Sequence, residues 1–161
     1  MKHLFYLLFI SFLFLQGCLE YEDDPICSEY QYISLVELRS SVEIQDAKEI
    51  KKSGKIYIYE NFLFINEPNR GIHIIDNSDQ KNPIKKAFIK IPGNIDIAIK
   101  EHSLYADSFM DLVILDISDM ENIKIIKRIE NLLPFHYKLD YFITDECNFD
   151  TNNGIVIKVE K

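Results

Sequence analysis

The segment Gly71–Asn82, GIHIIDNSDQKN, returns without a gap about forty residues later as Asp111–Asn122, DLVILDISDMEN. Four polar positions coincide: Asp76 with Asp116, Ser78 with Ser118, Asp79 with Asp119, and Asn82 with Asn122. Upstream, with one gap, Ile58-Tyr-Glu60-Asn-Phe-Leu63-Phe64 lies on Ile99-Lys-Glu101-His-Ser-Leu104-Tyr105. A repeat of this length is one supersecondary unit that cannot bury its apolar face alone, so the fold must stack one unit on the next.

The units read as β. From Val42 onward isoleucine dominates, Gly and Pro fall at junctions, and β-branched and aromatic residues come in short runs. Strands are expected at 55–59, 62–66, 71–76, 86–91, 95–100, 103–106, 111–116, 124–129 and 154–159. Ile95–Ile99 alternates apolar with polar, whereas Ile72–Ile75 and Leu112–Leu115 are apolar on both faces and must lie between packed sheets. Four short strands in about forty residues is the size of one β-propeller blade. Gly154-Ile-Val-Ile-Lys-Val looks like a third, incomplete copy, and Val42 to Lys55 like the detached outer strand of a blade. The expected fold is therefore all-β, with propeller-like four-stranded blade repeats, two full and one partial. Ser34 to Ser41, with Leu35, Val36 and Leu38 among Glu37 and Arg39, reads as a short preceding helix capped by Ser34.

Leu112-Val113-Ile114-Leu115-Asp116, with Ile72-His73-Ile74-Ile75-Asp76 as a weaker copy and Ser78, Asn82 and Pro83 continuing the turn, resembles the LVIVD repeat of secreted bacterial β-propellers. The resemblance covers about residues 42 to 160 and implies a propeller-like domain, commonly part of a lipoprotein in Bacteroidetes-type bacteria. Ile123 stands where the first copy has Pro83, and the third copy has Lys158 where Asp would fall. A closed propeller takes roughly four to eight blades. Three outcomes are open: copies of the chain join as a homo-oligomer, the terminal segments cover the open sheets, or the chain is a truncated relative of a longer one.

Residues 1–17 read as a signal peptide, with Lys2 and His3 ahead of an apolar run from Leu4 to Leu15 too short to span a bilayer. Leu15-Gln16-Gly17-Cys18 resembles the bacterial lipobox, which implies cleavage between Gly17 and Cys18 and a diacylglyceryl group on the Cys18 thiol. Such an anchor meets the two-chain requirement for stable membrane attachment. Residue 19 is Leu rather than the Asp that often retains lipoproteins in the inner membrane, so the outer membrane is the expected address, with the body periplasmic or surface-exposed. Glu20, Glu22, Asp23 and Asp24 read equally as an export tag or a solvated tether, and residues 19–32 as a linker. Cys27 and Cys147 are then an even pair in a disulfide-permissive space, either bridged or separate thiols. The chain thus divides into residues 1–17, a lipidated tether with the short helix at 18–41, and the repeat domain at 42–161.

A net charge of −8 argues against a phosphate-backbone binder, so no nucleic acid is expected. GxSxG, SxxK, HExxH and Gly-rich phosphate loops do not occur, and no Cys/His spacing suggests zinc. No cofactor, metal or catalytic residue is called for. Asp76, Ser78, Asn82, Asp116, Ser118 and Asn122 read as turn residues whose side chains bond local backbone amides, with calcium ligation the lesser alternative. His73 reads as a satisfied sheet histidine, His102 as a hairpin-tip residue, and His136, near Tyr137, Asp140 and Tyr141, as part of a polar-aromatic patch. The expected function is a lipid-anchored, non-catalytic binding or scaffold module, with the tips around Glu67 to Arg70 and Ser108 to Met110 meeting a protein or glycan. Two alternatives stand beside it: a hydrolase subunit whose carboxylates, such as Asp107 and Asp111, converge in an oligomeric channel, and a structural subunit that adds its open edge to a partner's sheet.

Overall fold

The computed structural model describes residues 30–133 and 154–158. The leader, Gly17, Cys18, the acidic run, Cys27, His136 and Cys147 lie outside the described residues. The rest is nearly all β. In chain order it runs β1 (Tyr30–Ile33), α1 (Leu35–Ser40), β2 (Glu43–Asp46), β3 (Ile56–Tyr59), β4 (Phe62–Glu67), β5 (Gly71–Asp76), β6 (Ile84–Lys90), β7 (Ile97–Lys100), β8 (Ser103–Ser108), β9 (Asp111–Asp116), β10 (Lys124–Ile129) and β11 (Ile155–Lys158).

The two repeats fold as two antiparallel meanders, β3 to β6 and β7 to β10. Each opens with a hairpin over a two-residue loop, Glu60-Asn61 and Glu101-His102, whose first residue has a positive φ (51° and 53°), as tight hairpin turns demand. The second hairpin of each unit turns through Asn69 (φ 67°) or Phe109 (φ 55°). Gly71 opens β5 at φ 145°, and a Cβ there would sit 2.0 Å from the Ile89 carbonyl oxygen, so the close approach of β6 needs glycine.

Strand alternation sends Phe64, Ile72, Ile74 and Ile89 to one face of the first sheet, and Leu104, Ala106, Val113 and Leu115 to one face of the second. These faces pack together as one apolar core with Val42, Ile91, Ile97 and Ile117. Both sheets bury their central strands, which explains the continuous apolar runs at β5 and β9. Polar bridges join the units at their margins: Lys55 Nζ to Asp96 Oδ2 at 2.6 Å, Lys86 Nζ to Glu121 Oε1 at 2.7 Å, and Tyr59 Oη to His102 Nδ1 at 2.6 Å. The arrangement is that of successive propeller-like blades.

Several expectations are corrected here. The segment from Val42 to Lys55 is not a detached blade strand: only Glu43–Asp46 is strand, and it pairs with β6 as a fifth strand of the first sheet. Residues 47–54 then return to β3, placing Lys48 Nζ 5.1 Å above the Phe88 ring and joining Glu49 to Lys85 at 2.5 Å. The linker expected to run to residue 32 ends earlier, because Tyr30–Ile33 pairs antiparallel with β11. β7 begins at Ile97 rather than Ile95, since the N–H groups of Ile95 and Asp96 go to the Asp107 carboxylate. β6 starts two residues before its expected position, and β8 runs on to Ser108.

Helix α1 is capped by Ser34, whose Oγ accepts the Glu37 N–H at 3.2 Å. It buries Leu38 in a small second cluster with Ile33 and Ile155, against which Phe109 and Met110 of the second unit pack.

Candidate functional site

The β4–β5 and β8–β9 tips and the β6–β7 connection meet at one end of the two blades. Asn69 N donates to Asn94 O at 2.7 Å and Gly93 N to Asn69 O at 3.0 Å, while Ser108 Oγ donates to Pro92 O at 3.0 Å. The tips expected to face a ligand are therefore largely internal: Glu67 and Ser108 are buried, and Phe109 and Met110 pack on the α1 cluster.

Three polar groups are built into this end. In the first, buried Glu67 joins Arg70 Nη1 through Oε1 at 2.5 Å and His73 Nε2 through Oε2 at 2.5 Å. Burial works to raise the Glu67 carboxyl, but the hydrogen bonds from His73 and Arg70 outweigh it and hold the group below its ordinary value. His73 is 3% exposed, and its ring lies 4.7 Å from that of Phe88.

The second group centres on Asn94, which is fully buried. Its Nδ2 donates to Asp96 O, Asp107 O and Asp107 Oδ1 at 2.8 to 3.1 Å, and its Oδ1 accepts from Asn66 Nδ2 at 2.5 Å. Asp107 Oδ1 also accepts the Ile95 and Asp96 N–H groups at 2.8 and 2.9 Å. Burial nevertheless raises the Asp107 carboxyl above its usual value, the hydrogen bonds offsetting only part of the effect.

The third group is Asp111, fully buried beneath α1. Arg39 holds it in a fork, Nε to Oδ2 at 2.9 Å and Nη2 to Oδ1 at 3.2 Å, while Arg128 Nη1 reaches Oδ2 and Asn131 N reaches Oδ1, both at 3.0 Å. Burial pulls this carboxyl upward, and the bonds from Arg39, Asn131 and Arg128 together bring it below the normal range. Asp107 and Asp111 are not brought together. Their register partners, Leu112 and Ser108, place them on opposite faces of the second sheet.

At the far end of the strands, Asp76 Oδ1 accepts the Ser78 N–H and Asp116 Oδ1 the Ser118 N–H, both at 2.9 Å. Asp79 and Asp119 repeat the device on Lys81 and Glu121 at 3.0 Å, and the Asn82 and Asn122 N–H groups donate to the Asp79 and Asp119 carbonyls at 3.0 Å. The same turn is built twice from the same side chains. No group of three or more His, Cys, Asp or Glu able to hold a metal is found among the described residues.

A shallow groove of about 230 Å³ opens on the outer side of the blades, between β2, β6 and the β9–β10 turn, lined by Ile44, Gln45, Asp46, Lys86, Met120 and Glu121. Gln45 Oε1 is buried there without a hydrogen-bond partner. Sequence reasoning missed this groove, because its walls come from segments distant in the chain and only the fifth strand completes it.

Residues 51–88 and 95–128 match the LVIVD repeat model. The chain carries LVIVD repeats. The two matched segments coincide with the two blades, β3 to β6 and β7 to β10. No curated protein and no solved structure matches the chain.

Proposed function

We propose that this chain is a lipid-anchored, non-catalytic binding or scaffold module of the outer membrane or cell surface, tethered through Cys18 and offering its LVIVD blades to a protein or glycan. The observation that carries this reading is the internal engagement of the buried carboxylates. Both oxygens of Glu67 and both of Asp111 are taken by the chain's own side chains and amides, and Asp107 fixes the start of β7. These three carboxylates hold blade ends in place, and among the described residues they form no pair poised for acid–base work.

Recognition then belongs to the outer groove. Its volume is below the ~300 Å³ at which small-molecule pockets begin, so it suits one side chain or one sugar ring of a larger partner. Ile44 and Met120 supply apolar contact, and Gln45 with the Lys86–Glu121 ion pair supplies the polar lining.

Two experiments test the reading. Metabolic palmitate labelling should mark the wild-type chain and fail on Cys18→Ala; a labelled Cys18→Ala chain would remove the anchor. Surface-protein pull-down and glycan arrays should give a saturable partner whose binding falls at least tenfold in Gln45→Ala. Saturable hydrolysis of a sugar, ester or peptide that is lost in Asp107→Asn would instead establish the hydrolase alternative.

A further inference from the structure

The two blades bury one face each against the other, and the repeat identifies which faces these are. On the second blade the packed face begins with Ile97 and Ile99 of the inner strand, followed by Leu104 and Ala106. The matching positions on the first blade are Ile56, Ile58, Leu63 and Ile65, on the face turned away from the second blade. A preceding blade would cover that face in a closed ring.

Its outer half is already covered by the chain itself. The segment 47–54 crosses it, with Lys48 over Phe88 and Glu49 on Lys85, and Phe88, His73 and Ile65 beneath are buried. The polar changes expected at a terminal unit are also here, with His73 standing where the second blade has Val113. The inner strand has had no such treatment. Ile56 is 59% exposed and Ile58 71%, whereas Ile97 is 6% exposed. Single exposed isoleucines are common on protein surfaces. Here two share one face, at register positions that the sister unit buries.

The chain also carries the complementary surface. Phe64, Ile72 and Ile74 share the core with Ile97, Leu104 and Ala106 of the second blade, and their counterparts on the second blade are Tyr105, Leu112 and Ile114, half-buried on the face away from the first blade. We propose that Ile56 and Ile58 of one copy dock on the Tyr105–Leu112–Ile114 face of a second copy. The contact is head to tail, made twice, and closes a two-chain ring. A heterologous contact of this kind generates a ring when its rotation closes. Because segment 47–54 limits the open area to the inner strand, the association is reversible and concentration-dependent rather than obligate. The inference is independent of the binding reading above, since it needs neither the groove nor the lipid.

Photo-crosslinking of the full chain in cells, with benzoylphenylalanine at position 58, tests it. The expected product has twice the chain mass, and its crosslinked peptide falls within residues 103–116 of the second copy. A crosslink to residues 56–58 of the second copy, a crosslink to a different protein, or no crosslinked dimer would each overturn the proposal. Sedimentation equilibrium of the full chain in neutral detergent supplies the second measurement. Ile58→Lys and Ile114→Lys should each weaken dimerisation at least tenfold, and mixing them should restore a dimer through the one intact pair of faces. Ile58→Lys alters an exposed side chain and should melt as wild type does, so it decides the matter alone if Ile114→Lys does not fold. A wild-type chain that is monomeric throughout the concentration series contradicts the proposal.

Discussion

Asn66 and Asp107 occupy matching positions of the two LVIVD repeats, and the structure shows why the acid is replaceable. Asp107 acts through one oxygen as an acceptor of three N–H groups, while burial disfavours its charge. For a carboxyl raised in the fold, the charged form costs stability above the folded pKa, and the cost disappears as pH falls below the unfolded value near 3.8. Asp107→Asn keeps the acceptor and removes the charge, so its Tm at pH 7 should equal or exceed that of the wild type. Asp107→Ala strands the donors and should lose roughly 1 to 3 kcal/mol, read by chemical denaturation. The Glu67–His73 pair is coupled: His73→Val alone leaves a buried carboxylate with one partner fewer and should cost about 2 to 4 kcal/mol. Adding Glu67→Ser to restore the second blade's residues should recover part of that loss, and a double-mutant cycle measures how much. At this scale the sequence was legible where a side chain serves its own turn, as with Asp76 and Asp116. It was silent on Asn94 and on what holds Asp111, because partners of both lie far along the chain: Asn66 reaches Asn94, and Arg39 reaches Asp111 across the molecule.

Among the elements, β5, β9 and β10 run between the bounds that periodicity predicts, since their hydrophobic runs and turn residues are local signals. Elements set by remote partners were harder to read. β1 exists as a strand through pairing with β11, β2 is stitched to β6 by non-local register, and the start of β7 is displaced by a side chain that takes its amides. Gly71 links local backbone to sheet geometry. Gly71→Ala drives a Cβ into the Ile89 carbonyl at a positive φ and should lower stability by at least ~2 kcal/mol, with the loss visible as a shifted urea midpoint at unchanged slope. If Gly71→Ala melted as wild type does, the close approach of β5 and β6 would be wrong.

For the molecule as a whole, acid stability follows from which carboxyls the fold favours. Glu67, Asp76, Asp111 and Asp116 all have folded pKa values below their ordinary ones of 4.5 or 3.8, through hydrogen bonds and cationic partners that outweigh burial. Depressed carboxyls contribute stability that is complete above the unfolded values and is lost as pH falls through the folded ones. Tm should therefore be level from pH 7 to about 5 and decline below about 4, with Asp107 opposing the trend. A Tm that rose steadily on acidification to pH 3 would contradict these assignments. The two LVIVD repeats pack face to face as consecutive blades, and methyl NMR tests that packing most directly. With Ile and Leu methyls labelled, strong cross-relaxation should connect the Ile72 and Ile74 methyls of the first blade with the Leu104 and Leu115 methyls of the second. Methyl contacts confined within each repeat, with none between them, would contradict the packed-blade architecture.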